Sequence, residues 1–282
     1  MCRIASYLGP AIPLENIIVR PKHSLLTQSH AATEAKLAVN GDGFGIAWYS
    51  DDLQPGVYRD VMPAWADENL TSLCRMVKSH LFIAHVRAST IGTTSRANCH
   101  PFTHKGWSFV HNGQVPHIQS IRRTLEAQLP DQLYQLRGGT TDSELIFLTL
   151  LANGLNDCPR TALQTTIRLL GKSTSDGPIR LTCVLSDGHR LIGFRYASDN
   201  KSPTLYSSNK LDNDGISLAS EPLDGCIQNW ARIAESTMIT IDANSTRSEP
   251  IFDQSSAIHA LRTHSQAPLS PLDRDTRPTF NK

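Results

Sequence analysis

A succession of short strand-like runs, broken by glycine, proline and asparagine turns, constrains this chain's fold more than any other feature. Residues 3–8 end at Gly9-Pro10, and residues 43–49 form a second, glycine-rich run. Residues 81–88 follow, then residues 107–111, which stop at Asn112-Gly113, a turn dipeptide. Residues 179–185 and 190–196 flank Ser186-Asp187-Gly188-His189, the pattern of a hairpin with a tight turn. Residues 204–208, 215–219 and 237–241 complete the set. Helical periodicity falls between these runs. Residues 67–78 place apolar side chains at 70, 73, 76 and 77, the spacing of a helix with one apolar face. Thr141-Asp142-Ser143-Glu144 reads as a capped N-terminus, with Glu144 three residues after Thr141 as a capping box requires, and it opens a largely buried helix. Residues 161–170 form another, ended by Gly171. Strand runs alternating with paired helices, without strict βαβ order, predict an α+β fold with mainly antiparallel sheets.

The charge balance excludes several functions. With 27 Lys+Arg against 26 Asp+Glu, the chain lacks the basic footprint of a nucleic-acid binder or a polybasic membrane protein. A hydrophobic fraction of 39% suffices for a globular core at 282 residues. The most apolar windows, residues 81–86 and 145–151, fall far short of the roughly 20 residues a membrane span needs. The cysteines at 2, 74, 99, 158, 183 and 226 show neither a C-x-x-C pair nor a disulfide-framework spacing. With no secretory leader in view, reduced thiols and a cytoplasmic location are expected. From about Asn244 the periodic pattern fades. Residues 255–264 are compatible with one short helix, and residues 265–282 are polar and proline-rich. The expected organisation is one domain over residues 2–250 with a loosely ordered C-terminal extension over 251–282.

Cys2 directly follows Met1, and its small side chain permits removal of that Met. Removal would leave a free α-amine, with a pKa near ~7.7–8.0, beside a thiol that it can deprotonate. Position alone proves little, because a terminal cysteine also arises by chance. Four later segments add to it: His85-Val86-Arg87-Ala88-Ser89-Thr90-Ile91-Gly92, Asn98-Cys99-His100-Pro101-Phe102, His111-Asn112-Gly113 and Thr141-Asp142-Ser143-Glu144. Singly, each has a structural reading: a surface arginine, a His-Pro loop, a type I′ turn, a helix cap. Their order and spacing after Cys2 carry the chemical reading.

Together with Gly41-Asp42-Gly43-Phe44-Gly45-Ile46-Ala47-Trp48-Tyr49 and Ala219-Ser220-Glu221-Pro222-Leu223, these collinear segments resemble the class II glutamine amidotransferase domain of the N-terminal nucleophile hydrolases. The resemblance spans about residues 2–243. It is narrowest to the stand-alone branch that includes bacterial amidotransferase-like proteins and γ-glutamyl hydrolases of ergothioneine and glutathione metabolism. It implies a four-layer αββα sandwich. It also implies that Cys2 attacks a γ-carboxamide to form a γ-glutamyl thioester, with the Asn112 side-chain amide and the Gly113 N–H as oxyanion donors. Arg87 and Thr90 would bind the α-carboxylate of the substrate, and Asp142 its α-ammonium. A guanidinium fork suits a carboxylate better than a lysine does. Neither cofactor nor metal is implied.

Two positions depart from synthase-linked relatives, which carry Trp and His where this chain has Ala88 and Ile91. A less enclosed site and a γ-glutamyl compound with a larger leaving group are therefore expected. The short segment after Ile241 has no room for a synthase domain, which favours hydrolysis. The alternatives are a glutaminase subunit delivering ammonia to a separate synthase partner, and a non-catalytic γ-glutamyl-binding module. A metal site at His100 and His104, with His111 and His117 nearby, is disfavoured because Pro101 breaks any shared helix and no zinc spacing occurs. A papain-like role for Cys99 yields to the reading of a buried, inert thiol. His85 and Trp48 read as packing near the site. Ser220 and Glu221 receive no role.

Overall fold

Period-two burial organises the chain into two antiparallel sheets. The computed structural model describes residues 2–35, 38–51, 53–89, 94–173, 177–208, 211 and 214–253. The first half comprises β1 (Arg3–Pro13), α1 (Glu15–Ile18), α2 (Leu25–Ala31), β2 (Phe44–Trp48), β3 (Gly56–Asp60), α3 (Glu68–Met76), β4 (Lys78–Val86), β5 (Phe102–His104) and β6 (Trp107–Gln114). Then come α4 (Ile118–Glu126), α5 (Asp131–Tyr134), α6 (Asp142–Ala152), α7 (Pro159–Ser173), β7 (Arg180–Ser186) and β8 (Leu191–Ala197). The last strands are β9 (Tyr206–Ser208), β10 (Ile216–Ala219), β11 (Trp230–Arg232), β12 (Thr237–Ile241) and β13 (Thr246–Pro250). One sheet has the order β11-β9-β10-β1-β4-β2-β3, the other β13-β12-β8-β7-β6-β5.

Successive strand residues point to opposite faces, so each central strand supplies two cores. In β1 and β4, Ile4, Leu8, Leu81 and Ile83 pack with Val110, Val184, Leu191 and Ile239 of the second sheet, filling the space between sheets. Their neighbours Ala5, Tyr7, Phe82 and Val86 pack outward with Ile17, Leu25 and Leu70 from α1, α2 and α3. On the far face Phe109 of β6 stacks on Phe147 of α6, with ring centroids 5.4 Å apart, and α7 packs on α6. Each buried Leu, Ile or Phe contributes about 1.5–3 kcal/mol, so both outer helix layers are secured by the same strands that join the sheets. The architecture is an αββα sandwich, as the resemblance implies.

Several local readings change. Asn112-Gly113 is not a turn: β6 runs through it, with Asn112 opposite Thr182 and Gly113 opposite Leu181 of β7. The helix at 67–78 stops at Met76, and Met76 is 72% exposed, so its apolar face is narrower than its spacing implied. Gly171 does not end α7, which continues to Ser173. Beyond Asn244 the polar run of β13 pairs with β12 at the sheet edge, where no alternation is required. Met1–Ile251 groups as one compact unit and Phe252–Lys282 as another, of which Phe252 and Asp253 are described. The helix expected at 255–264 lies outside the described residues. Among the described residues no helix is long and apolar enough to cross a membrane.

Candidate active site

The start of β1 sets the position of Cys2. Arg3 pairs with Val86 of β4, so Cys2 falls beside the residues that follow β4. Its Sγ lies 3.5 Å from the Ala88 amide nitrogen and 3.6 Å from the Ala88 carbonyl oxygen. Burial pushes the thiol pKa up, against the Ala88 hydrogen bond and the charges of Arg3 and Arg87. Arg87 extends the strand by one step: its N–H donates to the Gly43 carbonyl and its carbonyl accepts from the Asp42 N–H. The buried guanidinium reaches Ser89 Oγ at 3.1 Å and the Asp42 carbonyl at 3.5 Å. Thr90, the other residue expected at the carboxylate, lies outside the described residues.

Across the gap between sheets, β6 presents Asn112 and Gly113. The His85 ring of β4 bridges that gap, with Nε2 3.2 Å from the His111 carbonyl oxygen. Burial pushes the His85 pKa down to about 3, which keeps this bridge neutral. Asn112 is 0% exposed, and among the described residues neither its Oδ1 nor its Nδ2 has a partner. An unsatisfied buried polar group costs about 1–3 kcal/mol. Only glycine fits at 113, because a Cβ there would overlap the Arg180 carbonyl of β7.

Asp142 arrives from the opposite side as the first residue of α6. Thr141 caps that helix, its Oγ1 accepting the Glu144 N–H at 3.2 Å. The capping box is half formed, because the Glu144 carboxylate turns away to accept the N–H groups of Gly138 and Gly139. Asp142 Oδ2 accepts the Val115 N–H at 2.9 Å and Oδ1 accepts from the Ser143 hydroxyl at 3.3 Å. Ser143 Oγ also lies 2.9 Å from His111 Nδ1, so α6 is tied to β6 on both sides of the Asn112-Gly113 pair. Asn98 holds the approach to α6, accepting the Thr140 N–H at 2.7 Å and donating to Thr140 Oγ1 at 3.2 Å. Direct contacts thus join Cys2 to the end of β4, β4 to β6, and β6 to Asp142.

Other sequence candidates fall elsewhere. The His100 ring lies tilted against His85 at 4.1 Å with both ring nitrogens unpartnered among the described residues, and His104 ends β5, so the two share no helix. Among the described residues no cluster of His, Cys, Asp or Glu is placed to hold a metal ion. Cys99 is buried, and burial pushes its thiol up. A polar cavity of about 170 Å³ opens among Arg59, Phe102, His104, Gly138 and Glu144, and includes none of Cys2, Arg87, Asn112, Gly113 or Asp142.

The residues that carry no assigned role in the sequence form a second polar group behind Cys2. Arg3 is fully buried, donating from Nε to the Cys2 carbonyl at 2.6 Å and from Nη1 to Glu221 Oε1 at 3.0 Å. Glu221 also accepts from the Thr33 N–H and hydroxyl and from the Glu34 N–H, and meets His23 Nε2 at 2.6 Å. Burial opposes its charge, yet the hydrogen bonds from Thr33, His23 and Glu34 hold the carboxyl down to about 2. Ser220 brackets Ile4, donating its N–H to the Ile4 carbonyl and accepting the Ile4 N–H on Oγ, both at 2.9 Å. One end of this network was visible as Ala219-Ser220-Glu221 and the other only as the terminal Cys2, and the Arg3–Glu221 pairing was not.

Comparison with known proteins follows the same lines. Residues 17–243 match the family described as class II glutamine amidotransferases. The chain is 30% identical over 304 residues to a probable glutamine amidotransferase of Saccharomyces cerevisiae, covering 90% of this chain and 85% of the relative. It is 30% identical over 226 residues to the γ-glutamyl-hercynylcysteine sulfoxide hydrolase of Mycobacterium tuberculosis, covering 79% and 86%. A solved glutamine aminotransferase class-II domain protein from Silicibacter pomeroyi superimposes with a TM-score of 0.71 at 33% identity, covering 89% of this chain and all of that one.

Proposed function

This chain belongs to the class II glutamine amidotransferases, and on that premise we propose that it is an amidohydrolase that cleaves a γ-glutamyl amide bond through a thioester on Cys2. Met1 removal is the first step, since it converts the Cys2 nitrogen from a peptide amide into a base. The amine takes the thiol proton, directly or through water, and Sγ attacks the γ-carbonyl carbon. The oxyanion that forms is held by the Asn112 Nδ2 amide and the Gly113 N–H. Collapse expels the amine leaving group, which takes up the proton now held on the Cys2 ammonium, and leaves a γ-glutamyl thioester. Water, deprotonated by the same amine, then releases glutamate and regenerates the thiol. Arg87, with Thr90, binds the substrate α-carboxylate, and Asp142 binds its α-ammonium.

The observation that carries this reading is Asn112: a fully buried carboxamide, unpartnered at both ends, on the strand that contacts the end of β4. A site that leaves a donor unsatisfied in the resting state has it available when charge develops. The small Ala88 and the γ-glutamyl hydrolase named among the relatives favour a γ-glutamyl compound with a bulky leaving group over glutamine alone. The relative named as an amidotransferase favours a second reading, delivery of ammonia to a separate synthase partner. All six cysteines are free, which suits a reducing compartment such as the cytoplasm.

Intact mass combined with turnover of glutamine, glutathione and a γ-glutamyl amine, on the purified protein and Cys2→Ala, tests the proposal. The expected result is loss of Met1, Cys2-dependent release of glutamate and a higher kcat/KM for the γ-glutamyl compounds. Strong preference for glutamine would move the assignment to the ammonia-supplying reading. Inertness toward every substrate after Met1 loss would remove the enzyme assignment.

A further inference from the structure

We propose that Glu221, acting through Arg3, is a positioning residue for the nucleophile: it fixes the Cys2 carbonyl, and so the direction in which the Cys2 nitrogen and thiol face the space between the sheets. The inference rests on Cys2 being the nucleophile, as in the reading above.

The argument begins from the strand period. Ile4 packs between the sheets while Ala5 and Tyr7 face the helices of the first layer. The same alternation directs Cys2 toward the inter-sheet side and Arg3 toward the helix side. Arg3 therefore stands behind the nucleophile, away from substrate, and its guanidinium meets Cys2 at the carbonyl. A terminal residue has no preceding chain to restrain it and frays unless it is tied down. Here the ties are consecutive: the Arg3 guanidinium on the Cys2 carbonyl, then Ser220 on both backbone groups of Ile4. The Cys2 thiol itself meets only backbone groups of Ala88 among the described residues.

Glu221 is what holds the guanidinium. Its side chain is 1% exposed against 0% for Arg3, and a buried ion pair of this kind adds little net stability over an apolar pair. The pair is also imperfect as a structural element, because Arg3 Nη2 is buried without a partner. By contrast the carboxylate is over-determined by Thr33, Glu34 and His23, which together leave it one orientation toward Arg3. Such a network is suited to setting a direction rather than to adding stability. A misplacement of about 1 Å at a reacting group can reduce turnover about 10²-fold.

The test compares wild type, Glu221→Gln and Arg3→Lys, all with Met1 removed. Cys2 alkylation by iodoacetamide is followed by mass spectrometry from pH 5 to 9, alongside kcat, KM and near-UV circular dichroism. The expected result for Glu221→Gln is a fall in kcat of about 10–100-fold with KM within about threefold. Its alkylation profile should also shift to lower pH, because the uncompensated Arg3 charge disfavours the ammonium and favours the thiolate. The other charged or titratable groups bearing on this corner are His85 from β4, Arg87 just after it, and His23 and Glu34 from the chain before β2; none is altered. Arg3→Lys keeps the charge but not the fork, so kcat should fall without the pH shift. If Glu221→Gln does not fold, Arg3→Lys decides. Folded variants with wild-type kcat and wild-type alkylation profiles, merely melting earlier, would overturn the proposal. If the wild type turns over no γ-glutamyl substrate, the proposed activity fails, and the alkylation profiles still decide whether Glu221 positions Cys2.

Discussion

Asn112 and Glu221 are both buried polar side chains within the same end of the sandwich, and they are treated in opposite ways. Glu221 has every carboxylate oxygen engaged, by Arg3, His23, Thr33 and Glu34. Asn112 has neither end of its amide engaged. A fully satisfied group holds its surroundings in one arrangement, whereas an unsatisfied one is a standing cost that a ligand can relieve. On the proposed function, the difference separates the part of this corner that sets geometry from the part available for chemistry.

The comparison breaks most severely at Gly113. Gly113→Ala sets a methyl group onto the Arg180 carbonyl of β7, so the β6–β7 pairing must open. The variant is expected to lose at least about 3 kcal/mol, read from its urea midpoint against wild type. Asn112→Ala removes the unsatisfied amide itself. Turnover should fall about 10²–10³-fold while the urea midpoint stays near wild type, since no partner is abandoned. A large stability loss there would mean the amide has a structural partner after all. Glu221→Gln is expected to behave the other way in stability, losing about 3 kcal/mol because Arg3 is left charged and buried.

The pH dependence sharpens the same contrast. The folded Glu221 carboxyl is held down to about 2, below its unfolded value, so its stabilisation is full above pH ~4.5 and is lost as pH falls toward 2. His85, pushed down to about 3 by burial, is neutral in the fold and charges more readily when unfolded. Its acid penalty therefore accumulates earlier, from pH ~6.5 downward. Urea midpoints of wild type and Glu221→Gln should converge below pH 4 and differ by a constant amount above pH 5. A difference unchanged down to pH 2.5 would contradict the assignment. The smallest effect lies outside both regions: Gly171→Ala, inside α7 with open space at its Cβ, should stabilise by about 0.5–1 kcal/mol in the same measurement.

Legibility followed the range of the deciding interaction. The β7–β8 hairpin was readable because Ser186-Asp187-Gly188-His189 carries its own turn chemistry. The cap of α6 was readable because Thr141 and Glu144 are three residues apart. Asn112-Gly113 was misread as a turn for the same reason: the local preference of Asn-Gly is a type I′ corner, and what overrides it is pairing with Thr182 and Leu181 of β7, a strand much later in the chain. β13 escaped notice because an edge strand needs a partner for its backbone and no apolar face.

The sequence by itself determined the alternation that builds two sheets, and the order of Cys2, Arg87, Asn112, Gly113 and Asp142 that carries the family resemblance. Only the tertiary structure decided that Arg3 meets Glu221, 218 residues on, and that Asn112 has no partner among the described residues. Periodicity is a property of neighbouring residues and is written along the chain. The satisfaction of a buried charge or amide depends on which distant strand is laid beside it, and that is settled only when the sheets close.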